Sequence, residues 1–544
     1  MKLITLLVVL FYYEVSIIIK KLLNYNKNKF LNDNYLKKIR KSNNELLYKI
    51  KNKNLILVES LINHPGYFFK NIILANHLRK IMSSELILLI NKNDNYAKQL
   101  AKSFKIKNLI YLDEPNLHIR IKNFYLASLF FLKIKKIDQL LNLKYKKIFL
   151  GKLVYDNILR IKKVGTYNEV DYNIFYNLLK FINSISVYQA IFKKNKIKYL
   201  IQDEIQFYPS SSLFQFALKN KIQCYIKEGQ NRHLSLREYN SIDDCFENKS
   251  KFSKTLIRNL FKSKYKKKII LSGKKIMNSR INGYSKENDI SDAKHFKKGY
   301  IISKNDLCKK FSWDKKKPIG LILANDLTDG VFTNSWSLFR DNLSWLKFLL
   351  RNIKKNKNVN WIVKEHPSDK KNKLKYGTKY FFDSIIKKEK NIKILSNKIN
   401  VRSLHKIIDF VFSSHGSAGL EYPFLKIPCV TSSDSLYHGL GFTYECNTIE
   451  ELAICIQNPK KLKSIKKNIH DLLCVYLDIY INRTKILIGM PNYSPHADID
   501  YKKFHKDIYN LNKKDSFYNK KFQQALEKQI LNSYRHTIDT FDLK

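Results

Sequence analysis

Short apolar runs alternate with longer amphipathic stretches in the first half of the chain. Buried strands are predicted at 54–60, 85–90, 108–113, 198–202 and 222–226. Helices are predicted at 68–83, 95–104, 118–142, 168–195 and 211–220. Short apolar strands that alternate with helices are typical of a parallel sheet covered by helices. The first half therefore predicts one α/β unit.

A second alternating series begins at residue 318. Its predicted strands are 318–326, 359–364, 391–395, 408–414 and 427–433. Its predicted helices are 337–356, 375–388 and a stretch from 416 onward. Two successive α/β units predict two Rossmann-like domains facing a cleft, with ligands at the carboxyl ends of the strands. This is the GT-B layout of many glycosyltransferases, although the same architecture also serves other chemistries.

The predicted organisation has a helical segment at each end of the chain. Residues 1–53 form an apolar and basic N-terminal helical segment, and 54–226 form the N-terminal Rossmann-like domain. Residues 318–457 form the C-terminal Rossmann-like domain, and 458–544 form C-terminal helices. Between the domains, 227–317 is a basic linker region without clean periodicity, which predicts an interdomain region with an irregular, mobile part.

The only targeting candidate is the apolar stretch at residues 3–19. No small-residue cleavage site follows it, and Glu14 would cost about 2.5 kcal/mol or more at a bilayer centre. Three alternatives stay open: a helix packed on the protein's own surface, an anchor lying on a membrane, and a membrane span. All three leave the bulk of the chain in the cytoplasm, free or attached to the inner face of the cytoplasmic membrane.

The chain has 101 Lys and Arg against 46 Asp and Glu, a formal net charge of +55. Such a charge is typical of proteins that bind nucleic acids or anionic membranes. Lys, Asn, Ile and Tyr are enriched together, however, and codons rich in A and T would produce that mixture. Lys is spread over the exposed segments, so we expect no specific nucleic-acid partner. The basic flank of the N-terminal stretch allows peripheral contact with a membrane.

Several cofactor-binding and catalytic motifs are absent from the sequence. We find no P-loop, no G-x-G-x-x-G and no G-x-S-x-G. The seven cysteines have no C-x-x-C spacing, which predicts reduced thiols and no disulfide framework. A D-x-D pair at Asp498 and Asp500 lies in the predicted helical tail and not at the end of a sheet strand. We therefore expect neither a metal nor a cofactor.

Polar side chains follow three predicted strands of the second half. Asp326 and Asp329 follow the first strand, and Lys364 and His366 follow the second. A third cluster spans the end of the strand 408–414 and the predicted start of the next helix: Ser413, Ser414, His415, Gly416 and Ser417. Backbone N–H groups and the positive dipole at a helix start favour phosphate, and basic side chains nearby would add to this. The sequence predicts a phosphate site at this edge.

Residues 415–443 resemble the capsule polysaccharide synthesis family, which includes Kdo-transferase-type enzymes. The matching positions are Gly416-Ser417, Glu421, Pro428-Cys429-Val430 and Tyr437-His438-Gly439-Leu440-Gly441-Phe442-Thr443. Lys364-Glu365-His366-Pro367 resembles the family's basic-x-His-Pro motif, with Glu365 where Pro is common. The segment 151–160 is similar to a Gly-x-x-x-Tyr-Asp-x-x-x-Arg segment of related surface-carbohydrate proteins. The resemblance covers about 318–445 and is weaker over 54–226.

The resemblance implies transfer of a sugar from a nucleotide-activated donor, with CMP as the expected nucleotide, to a lipid-linked or free glycan acceptor. The first Rossmann-like domain would bind the acceptor and the second the donor. The donor site would comprise Asp329, Lys364, His366, Ser413, Ser414, Gly416, Ser417, Glu421, Tyr437 and Gly439. Inverting transfer also needs a general base for the acceptor hydroxyl. The candidates are Asp203 and Glu204 at the end of the strand 198–202, with Asp156 as the second choice.

Two other functions remain open at this point. One is a teichoic-acid-type polyol-phosphate transferase, which would use a CDP-activated donor on a similar body. The other is a non-catalytic protein that binds nucleic acid or membrane through its charge. That second alternative predicts basic residues gathered on one face with aromatic residues between them, whereas the strand ends here carry Asp, Glu, His and Ser.

Overall fold

The computed structural model describes most of the chain. The described residues are 8, 10–17, 19, 34–42, 54–62, 64–228, 233–284, 299–333, 335–366, 369, 374, 377–386, 389–395, 398–484, 486–487, 500–513, 519–532 and 534–539. Pro367 of the predicted basic-x-His-Pro motif and Asp498 of the D-x-D pair lie outside them.

Two six-stranded sheets form the body of the protein. The strands are β1 Leu55–Ser60, β2 Glu85–Asn91, β3 Leu109–Leu112, β4 Ile197–Gln202, β5 Gln223–Lys227, β6 His233–Leu234, β7 Leu236–Tyr239, β8 Ile319–Leu323, β9 Asn360–Lys364, β10 Ile392–Ile394, β11 Phe410–Ser413, β12 Cys429–Thr431, β13 Tyr444–Glu445 and β14 Ile486–Leu487. The first sheet has the order β3-β2-β1-β4-β5-β7 and the second β10-β9-β8-β11-β12-β13. Pairing within these two sheets is parallel, except that β7 runs antiparallel to β5, and β6 pairs antiparallel with β14 in a separate two-stranded sheet. The predicted fold of two Rossmann-like domains is confirmed.

Helices cover both sheets and form the C-terminal part. They are α1 Asn34–Ser42, α2 Pro65–Met82, α3 Asn95–Ser103, α4 Leu117–Lys133, α5 Ile137–Leu141, α6 Leu150–Lys162, α7 Tyr172–Lys194, α8 Ser210–Lys219, α9 Lys254–Lys262, α10 Lys266–Ile281, α11 Lys304–Phe311, α12 Asn342–Ile353, α13 Thr378–Ile386, α14 Val401–Leu404, α15 Ala418–Phe424, α16 Ile449–Gln457, α17 Lys467–Asp478, α18 Tyr501–Lys513 and α19 Lys520–Leu531. The helices predicted within the two α/β units are present, but the stretch 118–142 is divided between α4 and α5.

The described residues of the predicted interdomain region 227–317 include the helices α9, α10 and α11. The apolar side of α10 is buried, including Ile269, Met277 and Ile281, and it packs in one core with α17. Gly273 lets the two helices approach, since a Cβ there would lie 1.9 Å from the Cys474 carbonyl oxygen. The many Lys residues on the exposed side conceal this pattern in the sequence. The domain boundaries themselves stay predictions.

The N-terminal residues 10–17 are helical and contact the first domain. Tyr13 is buried and donates a 2.7 Å hydrogen bond to Glu114, while Glu14 forms a 2.9 Å ion pair with Arg120. These contacts correspond to the predicted alternative of a helix packed on the protein's own surface. Within the described residues, no helix combines the length and apolar character needed to cross a membrane.

Candidate functional site

The strand order of each sheet reverses between two central strands, and the crevice beyond such a reversal is where open α/β sheets bind ligands. In the second sheet the reversal lies between β8 and β11, which pair in parallel. Asn325 and Asp326 follow β8, whereas Ser414 and His415 follow β11. The polar clusters predicted from separate parts of the sequence therefore meet at this point.

His415 is the centre of a polar network at this edge. Its Nδ1 atom lies 3.1 Å from the Asn325 amide nitrogen, 3.2 Å from the Ser414 hydroxyl and 3.3 Å from the Ser433 hydroxyl. Burial lowers the pKa of His415 to about 4, so the ring is neutral at pH 7. The network offers hydroxyl, amide and imidazole groups for hydrogen bonding and carries no positive charge of its own.

Lys364 and His366 supply the basic groups, at the end of β9 beside β8. Burial lowers the pKa of Lys364 to about 8, with the Glu421 charge opposing the shift. Burial also lowers the pKa of His366, against the opposing charges of Asp326 and other nearby carboxylates. An ammonium group that is poorly hydrated gains from an anionic partner, so a phosphate beside Lys364 would be favourably placed.

The loop from β11 to α15 presents open backbone at Gly416. Its φ is +107°, and a Cβ added there would meet nothing within 4 Å. Ser417 precedes α15 and its side chain makes no capping hydrogen bond. Ser413 instead shapes the loop from within, because its buried hydroxyl donates to the His415 carbonyl at 2.7 Å. Gly416 thus leaves open space beside the loop, and Ser413 holds the loop from within.

Tyr437 lies behind this loop, and Gly439 belongs to the segment that follows Tyr437. Tyr437 is fully buried, and its hydroxyl donates to the Gly416 carbonyl at 2.8 Å. Gly439 has a φ of +76° and its N–H donates to Glu445 at 2.6 Å. Tyr437 therefore supports the loop from behind, whereas the sequence prediction placed it in the pocket, and the predicted contact of Gly439 with the donor stays a prediction.

Glu421 forms a buried ion pair with Arg280 of α10. The guanidinium donates to Oε1 of Glu421 from Nε at 3.0 Å and from a terminal nitrogen at 2.8 Å. Side-chain exposure is 2% for Arg280 and 10% for Glu421. The contact joins α10, which lies in the predicted linker region, to α15, which follows the loop at Gly416.

Replacing Gly419 with Ala is expected to destabilise the protein by about 1–3 kcal/mol, as overpacking of a filled core does. The added Cβ would lie 1.9 Å from the Tyr437 hydroxyl oxygen, which already bonds to the Gly416 carbonyl. Urea unfolding of Gly419→Ala measures the effect, with Ser417→Ala as the neighbouring control without a side-chain cap to lose. An unchanged midpoint for Gly419→Ala would contradict the described packing.

The reversal point of the first sheet lies between β1 and β4 and carries a second cluster of charged groups. Asp203, directly after β4, has Lys70 and Lys227 ammonium groups at 3.6 Å and that of Lys249 at 3.5 Å. Burial favours the neutral acid, but these three charges hold the pKa of Asp203 well below its usual range. A carboxylate that is so weakly basic is poorly suited to remove a proton at neutral pH.

Glu204 and Glu59 are the other carboxylates of this cluster. Burial raises the pKa of Glu204, whose Oε1 accepts the N–H groups of Gln206 and Phe207 at 2.5 and 3.3 Å. Burial raises the pKa of Glu59 to about 7, although its Oε1 accepts from Leu61 N–H at 2.7 Å and from the Ser210 hydroxyl at 3.1 Å. Glu59, the second-last residue of β1, is not among the residues predicted from the sequence. The strand-end criterion used for the second half would have found it.

Asp156 lies on α6 at the contact between the two domains. Its two carboxylate oxygens accept the N–H groups of Val331 and Phe332 at 3.1 and 3.3 Å. Burial raises the pKa of Asp156 to about 8, against these backbone bonds. Asp156 thus fastens the first domain to the loop that carries Asp329, which is itself exposed. Both carboxylate oxygens of Asp156 are engaged by backbone N–H groups, and its role as a general base stays a prediction.

Metal-binding side chains do not converge in the part of the chain that the structure describes. No group of three His, Cys, Asp or Glu side chains there could hold a metal ion. Asp500 of the D-x-D pair precedes α18 and accepts the Lys503 N–H at 3.0 Å, as a helix-capping residue does.

No protein-family profile and no curated protein matches the chain. The chain is similar to several solved structures, one of which is KpsC, a beta Kdo 2,4 transferase of Thermosulfurimonas dismutans. The two sequences are 12% identical, the match covers 59% of this chain and 94% of that chain, and the TM-score is 0.33. Another is a Methanocaldococcus jannaschii UDP-GlcNAc 2-epimerase in complex with UDP-GlcNAc and UDP, with 14% identity, coverage of 77% and 98%, and a TM-score of 0.26. A third is a glycosyltransferase from Rickettsia africae, with 12% identity, coverage of 85% and 98%, and a TM-score of 0.23. Likenesses this weak assign no activity, and the order of the strands in the two sheets carries the fold assignment.

Proposed function

We propose that the protein is a glycosyltransferase that moves a sugar from a nucleotide-activated donor to a glycan acceptor during surface-polysaccharide assembly. The observation that carries this proposal is that Lys364 and His366 lie at the end of β9 and the loop Ser414–Ser417 follows β11, the two strands that flank β8 in the second sheet. Basic groups, hydroxyls and open backbone at one sheet edge suit a phosphate group. We further propose that the nucleotide is CMP, as the motif resemblance implies, and that the reaction uses no metal.

In this proposal the second domain stabilises the leaving nucleotide. Negative charge develops on the phosphate as the glycosidic bond breaks, and the Lys364 ammonium would offset that charge. Because Lys364 is partly buried, its field is screened less than it would be in water. His366, together with the Ser414 and Ser417 hydroxyls, would hold the phosphate oxygens by hydrogen bonds.

The first domain would supply the general base, and we assign that role to Glu59 ahead of Glu204 and Asp203. A base whose pKa lies near 7 combines availability at neutral pH with adequate proton affinity. Glu59 meets that condition, while the three neighbouring lysines keep Asp203 ionised and weakly basic. In transfer, Glu59 would take the proton of the attacking acceptor hydroxyl while the nucleotide departs from the sugar.

Nucleotide binding tests the proposed function directly. We expect a cytidine nucleotide to raise the melting temperature in a panel of CMP, CDP, UDP and GDP, and the His366→Ala variant to lose that shift. His118→Ala is the matched control, because His118 is exposed on α4 away from the strand ends. A shift with CDP alone would favour the polyol-phosphate transferase, and no shift with any nucleotide would contradict the proposal.

A further inference from the structure

Two cysteine thiols lie next to each other at the edge of the second sheet. Cys446 follows the edge strand β13, and Cys455 lies on α16. Their sulfur atoms are 3.8 Å apart, and both thiols are free. A disulfide has sulfur atoms about 2.0 Å apart, so the two sulfurs must approach by about 1.8 Å for a bond to form.

The two thiols differ in exposure and in acidity. Cys446 is 3% exposed, whereas Cys455 is partly exposed. The hydrogen bond between them lowers the pKa of Cys455 and raises that of Cys446. The thiolate is the reactive form of cysteine, so the partly exposed Cys455 is the one suited to react with an oxidant, and Cys446 lies behind it.

The backbone around the pair holds the two residues in place. The Cys446 N–H donates to the Thr431 carbonyl at 2.8 Å, which joins it to β12. Thr448 caps α16 by accepting the Glu451 N–H at 3.1 Å, and the Asn447 N–H donates to the Glu451 carboxylate at 2.7 Å. Hydrogen bonds within residues 446–451 and to β12 therefore hold the segment that joins the two cysteines.

We propose that Cys446 and Cys455 form a reversible intramolecular disulfide when the protein meets a hydroperoxide. The pair has no third metal-binding side chain beside it among the described residues, which separates it from a zinc site. The site is independent of the proposed transferase activity, since neither sulfur belongs to the candidate donor site.

The chemistry balances with hydrogen peroxide as the two-electron oxidant. The Cys455 thiolate attacks one peroxide oxygen, the O–O bond breaks, and the departing hydroxide takes up a proton to leave as water. Cys455 is then a sulfenic acid. The Cys446 sulfur attacks the Cys455 sulfur, the S–O bond breaks, and the second oxygen leaves as water with the Cys446 proton. Two thiols are oxidised to one disulfide and one peroxide is reduced to two waters.

Peptide mapping of the full chain tests the proposal without requiring any variant to fold. Reduced protein is treated with hydrogen peroxide, blocked with an alkylating reagent and digested under non-reducing conditions. Trypsin would leave both cysteines on one peptide, because Lys426 and Lys460 are the nearest cleavage sites around them. Cleavage after Glu450 and Glu451 separates the cysteines, so a disulfide joins two peptides that dithiothreitol then releases.

We expect the joined peptides in the wild-type protein and in Cys308→Ser, and not in Cys455→Ser. Cys308 is a matched control because it is buried on α11, away from this pair. The oxidised wild-type protein should also melt at a higher temperature than the reduced protein, since the bond restrains the unfolded chain. Alkylation of both cysteines after peroxide treatment, or their separate conversion to sulfinic acids, would overturn the proposal.

Discussion

Glu59→Gln is expected to lower the rate of sugar transfer by about 10²- to 10⁴-fold, the usual contribution of a general base. The amide keeps the size of the side chain and can still accept from Leu61 N–H, but it cannot take a proton from the acceptor. Nucleotide binding should be unaffected, because Glu59 belongs to the first sheet and the donor site to the second. Initial rates with the nucleotide donor that passes the thermal-shift assay measure the effect.

Two further variants identify the base. Glu169→Gln is the matched control, because Glu169 is an exposed carboxylate of the first half, and full activity is expected. Glu204→Gln is the competing candidate from the sequence. Loss of transfer in Glu204→Gln together with full transfer in Glu59→Gln would reject our assignment and restore that prediction.

The pH dependence of the same reaction gives an independent result. Burial raises the pKa of Glu59 to about 7, so the basic form disappears as the pH falls through that value. We expect kcat/KM to fall below pH 7.

The raised pKa of Glu59 also makes the stability of the protein depend on pH. Between the ordinary pKa of a glutamate and pH 7, Glu59 is protonated in the native state and ionised in the unfolded state. Stability should therefore decrease as pH rises through that interval, and Glu59→Gln should remove this component of the decrease.

Arg280→Met is expected to destabilise the protein by about 3–5 kcal/mol, because it removes the guanidinium that forms the buried ion pair with the Glu421 carboxylate. Both hydrogen bonds from the guanidinium to Oε1 are lost, and the two side chains are nearly inaccessible to water. Urea unfolding monitored by circular dichroism gives the free energy of unfolding. The double variant Arg280→Met/Glu421→Gln should recover a large part of the loss, since it also removes the buried carboxylate charge that the guanidinium balanced.

Lys274, an exposed cation on α10, provides the control for Arg280, which lies on the same helix. Lys274 is 43% exposed and lies 4.0 Å from Asp471, so Lys274→Met should change the free energy of unfolding by no more than about 0.5 kcal/mol. Equal effects of Arg280→Met and Lys274→Met would show that the buried ion pair does not carry the stability assigned to it.

The sequence by itself determined the two α/β units, because buried parallel strands and covering helices differ in length and apolar period. The apolar runs at 54–60, 359–364 and 408–414 correspond to β1, β9 and β11 within a few residues. It also located the polar clusters, since residues directly after such strands come to one edge of the sheet. Asp203, Lys364, His366 and Ser414 were found in this way.

Tertiary structure alone decided what each of those groups can do. The sequence does not show that three lysines surround Asp203, because Lys70, Asp203, Lys227 and Lys249 come from separate segments. Nor does it show that Asp156 is occupied by backbone N–H groups of the other domain, or that Glu421 is paired with Arg280. Local pattern sets which residues reach a sheet edge. Basicity, charge and access depend on burial and on neighbours distant in the chain, which only the packed fold brings together.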